Sequence, residues 1–164
     1  MFNGVIKNSP ILCAKFPMQR YKIYLKCKNF MKVIYNKLIP FKGFMAMTVV
    51  KWIFVREEYK HLEGSESFNK MVNHESIHEQ QILDFTPNFF PKWLRYVIGS
   101  IFFYLWYVLE WIIKLVPCAI GEVNAYRNIG FEQEAYANES DFEYIKNRKR
   151  FSWFKEIVPL KKLG

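Results

Sequence analysis

The chain has 164 residues, of which 51% are hydrophobic and 19% aromatic, so it carries enough apolar material for one domain with a buried core. This composition excludes disorder along the whole chain, because the apolar surface offsets the loss of chain entropy. The formal charge of +9 favours an anionic partner such as a lipid surface. We expect no nucleic-acid partner, since neither an RNP-type aromatic motif nor a basic recognition helix is present.

The basic residues are concentrated at the two ends of the chain. We predict that residues 1–30 form a basic, disordered arm, with Met31 as an alternative start, and that residues 31–164 form the domain. The three cysteines are too scattered for a disulfide framework and favour a reducing compartment; they are Cys13, Cys27 and Cys118. We read no secretory signal, so the expected location is cytoplasmic or membrane-associated rather than secreted.

The first regular structure is predicted between residues 43 and 56. The segment G-F-M-A-M-T-V-V-K-W-I-F-V-R is rich in β-branched and aromatic residues, which predicts one long strand or a tight hairpin. Residues 57–66 read as a polar loop. Ser67 then caps a predicted helix that runs towards Leu83, before two prolines end it.

Residues 96–116 form a long apolar segment that could cross a bilayer. Glu110 lies inside it, and its tyrosines and tryptophans are not confined to its ends, which favours a buried or interfacial helix over a span. We expect Glu110 either to pair with Arg127 in the core, which is the favoured interpretation, or to face a candidate active-site cleft, and we expect Pro117 to end the helix.

The last third of the chain contains a predicted helix that begins near Phe131. The basic residues from Lys146 to Arg150 are expected to form a solvated face, although an anionic lipid surface could also use them. The chain is therefore predicted to belong to the α+β class, dominated by helices, with a small strand or hairpin beside the helix that begins at Ser67.

The chemistry-bearing motif is V-N-H-E-S-I-H-E-Q-Q at residues 72–81. His74 and His78 are one turn apart and share a helix face, so both imidazoles can reach one metal ion. Glu75 lies about 100° around the axis from His74, near enough to act on a water at that metal. The H-E-x-x-H motif thus supplies two metal ligands and a general base on one helix. A catalytic zinc needs one further protein ligand. The competing interpretation is a surface helix with solvated histidines.

Several residues could supply the third ligand. His61 precedes the helix in a polar loop and is expected at the surface. Glu132 and Glu139 share one helix face, with Glu134 pointing elsewhere, and a carboxylate from this face is the better choice. The common alternative for either glutamate is an exposed helix charge. Gln81 lies on the His78 side of its helix and could contact the metal site.

The motif and the glutamate helix together resemble a known family. H-E-S-I-H at 74–78, followed by E-Q-E-A-Y at 132–136, resembles the gluzincin zinc metallopeptidases, in particular small, minigluzincin-like members. The resemblance implies a zincin-like fold in which His74, His78 and Glu132 hold Zn²⁺. It also implies that Glu75 is the general base for hydrolysis of a peptide or protein substrate by a zinc-activated water.

The resemblance has two further implications. Residues 43–56 would hold an extended peptide as an additional strand. Tyr136 stands where the family usually has an acid that orients a ligand histidine, and its phenol could accept that N–H or stabilise an oxyanion. Arg127 is the alternative donor to the oxyanion. The alternatives are a non-catalytic zinc-binding protein of the same fold and a membrane-associated protein whose histidines are incidental.

Overall fold

The structure is a computed structural model, and it describes residues 32–119 and 124–157. The strands are β1 (Lys32–Asn36), β2 (Ala46–Val49) and β3 (Trp52–Arg56); the α-helices are α1 (Glu66–Asp84), α2 (Lys92–Ala119), α3 (Gly130–Asn138) and α4 (Tyr144–Asn147); 3-10 helices cover Glu57–Leu62 and Ser152–Glu156. This is a helix-dominated α+β arrangement, as predicted. The predicted arm at residues 1–30 and the alternative start at Met31 lie outside the described residues.

A three-stranded sheet stands beside α1, with the strand order β1-β3-β2. β2 and β3 are antiparallel and form the hairpin predicted within residues 43–56, whereas β1 pairs parallel with β3 and was not predicted. Ile53 and Val55 are fully buried on one face of the sheet, and Thr48 is buried with them. β2 therefore presents one face to the protein interior and forms one edge of the sheet.

Helix α1 is polar in sequence and yet lies in the interior. Its N-cap is Ser65, whose side chain accepts a hydrogen bond from the Phe68 N–H at 3.2 Å, so the predicted cap at Ser67 is wrong by two residues. Seven consecutive residues, Val72–His78, are buried, which means that neighbours cover every side of the helix. Buried polar groups are stable only when they are paired, so this helix requires partners from elsewhere in the fold.

Helix α2 is longer than the predicted segment and packs closely on α1. Gly99 makes this approach possible, because a Cβ there would lie 2.2 Å from the carbonyl oxygen of Ile82. The helix continues through Pro117 to Ala119, so the prediction that Pro117 ends it is wrong by two residues. By length and composition, Lys92–Val116 could cross a membrane, but the core helix of a soluble protein passes the same test.

The core lies where α1, α2, α3 and the last 3-10 helix meet. Its buried side chains are Ile82, Tyr96, Phe103, Ile129, Phe131 and Trp153. Glu110 pairs here with Lys114 and accepts a hydrogen bond from the Gly130 N–H at 2.9 Å, so the predicted pairing with Arg127 is wrong. Its neighbour one turn along the same helix is the closer cation.

The segment from Lys146 to Arg150 is not a solvated face throughout. The Arg148 side chain is 4% exposed and forms ion pairs with Asp84 at 2.8 Å and with Glu134 at 2.7 Å. Arg148 is buried because the carboxylates of Asp84 and Glu134 are buried and require a cation. The pairs fix the end of α1 to α3, the two helices that carry the candidate site.

Candidate metal centre

Helices α1 and α3 bring His74, His78 and Glu132 together. The two imidazole Nε2 atoms are 3.2 Å apart. Glu132 Oε2 lies 3.3 Å from His74 Nε2, and Glu132 Oε1 lies 3.4 Å from His78 Nε2. All three side chains are buried, with their nitrogen and oxygen atoms within 4.8 Å of one another. This His–His–Glu group could hold a metal ion.

Both histidines are oriented by a hydrogen bond at their other ring nitrogen. His74 Nδ1 donates to Glu139 Oε2 at 3.1 Å, and His78 Nδ1 donates to Gln81 Oε1 at 2.7 Å. The Gln81 amide nitrogen donates in turn to the Phe131 carbonyl, which fixes the orientation of the amide. When the imidazoles are neutral, donation from Nδ1 leaves each Nε2 lone pair directed at the centre, the tautomer that a metal ligand needs.

The charges in the site compensate each other. Burial lowers the pKa of His74, but the carboxylates of Glu132 and Glu139 outweigh it and raise this pKa to about 10. Burial likewise lowers the pKa of His78, and the charge of Glu132 overcomes it and raises the pKa. Burial raises the pKa of Glu132, yet the nearby charges of His78 and His74 hold it well below its usual range. The carboxylate is therefore ionised and strongly attracts positive charge, whether from protons or from a metal ion.

One oxygen of the group lacks a hydrogen bond. Among the described residues, Glu132 Oε2 is buried without a hydrogen-bond partner, although it lies 3.3 Å from His74 Nε2. A buried carboxylate oxygen without a donor is costly, and a cation between it and the two Nε2 atoms would satisfy it. Two imidazole nitrogens and one carboxylate oxygen are also a common ligand set for catalytic zinc.

Glu75 is held beside this group by the sheet. Its carboxylate Oε2 accepts a hydrogen bond from the Thr48 hydroxyl of β2 at 2.7 Å. Thr48 Oγ1 also lies 3.0 Å from the Glu75 carbonyl oxygen, so the strand fixes both the side chain and the backbone of this residue. Glu75 is 7% exposed, and what remains accessible faces a cavity.

A cavity of about 490 Å³ leads to the site. Its described lining is Phe41, Phe44, Ala46, Met47, Thr48, Glu75, His78, Phe103, Tyr104, Tyr107, Val108, Trp111, Tyr126 and Glu132. The lining is apolar and aromatic, and its ionisable side chains, the tyrosines apart, are Glu75, His78 and Glu132. The cavity therefore combines a mostly apolar wall with a few polar groups, as small-molecule and substrate sites commonly do.

Tyrosines surround the Glu132 carboxylate. The Tyr107 hydroxyl donates to Glu132 Oε1 at 2.9 Å. Burial raises the pKa of Tyr126, and the nearby Glu132 carboxylate raises it further. Both phenols therefore stay protonated and can donate hydrogen bonds inside the cavity.

The other predicted residues lie around the group. Tyr136 packs its ring against His74, with ring centroids 4.6 Å apart, and the Arg127 guanidinium lies 5.3 Å from the centre of the Tyr136 ring. Glu139 accepts a hydrogen bond from His74 Nδ1 and is not part of the group of candidate metal ligands. It therefore orients the His74 ring, a role that the sequence suggested for Tyr136. His61 is exposed and bonds the Glu58 carbonyl through Nδ1, away from the group.

Sequence reasoning missed Thr48, Tyr107 and Tyr126. Each comes from a different part of the chain, and none belongs to a motif, so local spacing carried no signal for them. Only the alternation of β2, which turns Thr48 to the same side as the buried residues of the sheet, could have pointed to one of the three.

No protein-family model, curated protein or solved structure matches the chain. A function can therefore be inferred only from the geometry of the site, which is a buried His–His–Glu group that could hold a metal ion, with Glu75 beside it at the end of an apolar cavity.

Proposed function

We propose that the protein is a zinc-dependent metallopeptidase of the gluzincin type, with zinc held by His74, His78 and Glu132. The observation that carries this proposal is the convergence of two Nε2 atoms and an unpaired, buried carboxylate oxygen beside Glu75. A surface helix with incidental histidines would not bury these residues or bond both Nδ1 atoms to acceptors.

Zinc, when bound at such a site, lowers the pKa of a water molecule and polarises the carbonyl group of a substrate. With three protein ligands, the zinc would keep one coordination position open for water or substrate, whereas a structural zinc site has four protein ligands. The apolar cavity beside the group supports a catalytic role, because it gives a substrate access to that position.

Glu75 is the proposed general base. Its carboxylate takes a proton from the attacking water and passes it to the nitrogen of the leaving amine. The Thr48 hydroxyl keeps the carboxylate in place through the bond at 2.7 Å. Tyr126 lines the cavity and stays protonated, so we assign its phenol as a donor to the oxyanion of the tetrahedral intermediate.

The outer edge of β2 is the proposed binding site for the substrate backbone. Met45 O accepts from the Arg56 N–H at 3.1 Å, so the alternate residues Ala46 and Thr48 direct their backbone groups away from β3. Ala46, Met47 and Thr48 also line the cavity. An extended peptide could pair with this edge, although the Tyr104 hydroxyl already donates to the Thr48 carbonyl at 2.9 Å.

Glu75→Gln tests the proposal. The variant keeps the shape of the side chain but cannot accept the proton, so zinc should stay at about one per chain while hydrolysis of a fluorogenic peptide library falls by about 10²-fold or more. Glu66→Gln, on the exposed start of the same helix, is the matched control and should match the wild type. Hydrolysis by Glu75→Gln at the wild-type rate, or wild-type protein that retains no zinc after reconstitution, would refute the proposal.

A further inference from the structure

The outward surface of α2 is apolar along most of its length. The exposed residues between Val97 and Val116 number twelve, and all are aliphatic or aromatic. At about half exposure, and with roughly 150–250 Å² for a large side chain, they present on the order of 1,000 Å². The largest apolar patch on a typical monomer is about 300–600 Å². This surface, here called the α2 face, is therefore too large to be left in water.

The charged side chains in the same segment face the protein interior. Glu110 and Lys114 are 4% and 5% exposed and pair with each other in the protein interior. A helix on the surface of a soluble protein turns its charges to water and its apolar side chains inward. The reverse arrangement, with paired charges inside and apolar groups outside, is typical of a helix that contacts lipid.

The α2 face is too broad for one partner helix. At 100° per residue its members extend from Trp111 to Ile113 through an arc of about 200°. A helix from a second copy would cover a stripe of roughly 100° and would leave about half of the face exposed. A fluid bilayer would cover all of it.

The contacts that α2 makes with the rest of the domain argue against a transmembrane orientation. Tyr104 bonds the β2 backbone, and Tyr107 bonds Glu132, so the sheet and the polar site accompany the helix along its middle. A helix that spanned the bilayer would draw these groups into the hydrocarbon. We propose that α2 lies parallel to the membrane, with its exposed face immersed in one leaflet and the rest of the domain in water. The net charge of +9 adds attraction to anionic lipid.

The cavity opens beside this membrane-facing surface. Tyr104 and Val108 belong to the α2 face and also line the cavity, together with Phe41 and Phe44, which are exposed. A substrate with an apolar segment could therefore reach the site from the bilayer surface. This consequence for the substrate rests on the proposed function, whereas membrane docking requires neither zinc nor hydrolysis, so the two can fail separately.

Flotation of the full chain with vesicles of phosphatidylcholine and phosphatidylserine tests the docking. The wild type should float with the vesicles, and Leu105→Gln/Leu109→Gln, which alters two exposed members of the face, should lower the partition coefficient about tenfold or more. Trp52→Gln is the control, because Trp52 lies on the outer face of the sheet, and it should bind like the wild type. Circular dichroism and zinc content confirm that the variants are folded.

Three results would overturn the proposal. The first is wild-type protein that does not float with the vesicles, and the second is a double variant that floats as well as the wild type. The third is a protein that dimerises through the α2 face and does not bind vesicles.

Thiol labelling in spheroplasts tests the orientation of α2. Single cysteines at Lys92→Cys and Ala119→Cys, in a chain whose native cysteines are replaced by serine, mark the two ends of the helix. In intact spheroplasts a membrane-impermeant maleimide should treat the two ends alike, labelling neither of them if α2 lies on the cytoplasmic leaflet, and after lysis it should label both. Labelling of one end and protection of the other would mean that α2 spans the bilayer.

Discussion

Replacement of Glu139 by glutamine tests how the outer hydrogen bond of His74 sets the affinity for zinc. Glu139 Oε2 accepts from His74 Nδ1 at 3.1 Å, and its side chain is 30% exposed. Glutamine keeps an acceptor oxygen in reach but removes a full negative charge. The substitution therefore isolates the electrostatic part of the contact from its geometry.

Loss of such an outer partner typically lowers metal affinity about 10–100-fold. Because Glu139 is partly exposed and the variant keeps an acceptor, we expect about tenfold, which corresponds to about 1.4 kcal/mol. This value applies where protons do not compete. The pKa of His74 is raised to about 10 in the metal-free protein, so zinc must displace a proton at pH 7. Loss of the Glu139 charge weakens the binding of that proton as well, and the net loss of zinc affinity is therefore smaller at pH 7 than above pH 10, where protons no longer compete.

The assay is competition for zinc with a chromophoric chelator at both pH values. Glu143→Gln is the matched control, because Glu143 is an exposed glutamate that pairs with Lys146 outside the site. Complete loss of zinc in Glu139→Gln would make Glu139 a ligand and refute the assignment of Glu132 as the third one. An affinity equal to that of the wild type at both pH values would refute the outer-partner role.

Three further predictions concern the wild-type site and the packing that supports it. Zinc affinity of the wild type should rise up to about tenfold per pH unit between pH 7 and 10, since the raised pKa of His74 keeps a proton in competition; an affinity independent of pH in competition titrations would contradict this. Arg148→Met leaves two buried carboxylates without their cation and should cost about 3–5 kcal/mol in the free energy of unfolding, whereas exposed Lys149→Met should cost less than about 0.5. Gly99→Ala should cost about 1–3 kcal/mol, because its Cβ meets the Ile82 carbonyl oxygen at 2.2 Å. Denaturant unfolding measures both values, and wild-type midpoints would refute the packing argument.

The parts of the fold that follow from local spacing were predictable. His74 and His78 share a face because of helix periodicity alone, and the hairpin at 43–56 follows from its β-branched residues and its length. Strand β1 was missed, because it pairs in parallel with β3 across some twenty residues and has no turn signal to mark it. Parallel pairing depends on contacts that a short window cannot show.

The parts of the site that come from separate elements were not predictable. The Thr48 bond to Glu75 and the Tyr107 bond to Glu132 join residues 27 and 25 positions apart. Arg148 looked like one of several basic surface residues, since nothing nearby in sequence shows that Asp84 and Glu134 are buried next to it. Such pairings are set by tertiary packing, which sequence periodicity does not encode.

Hydropathy alone would also predict the wrong burial for the two long helices. The polar helix α1 is buried, and the apolar helix α2 has much of its surface exposed. Several polar groups of α1 are compensated by hydrogen bonds: the Asn73 amide nitrogen donates to a backbone carbonyl after α3, and the Ser76 hydroxyl donates to the Val72 carbonyl. Such a helix gains little from the hydrophobic effect, and its buried position is what the proposed chemistry of His74, Glu75 and His78 would require. The exposed apolar surface of α2 is the complementary feature, because side chains that could fill a core are left at the surface, where the proposed membrane docking would cover them.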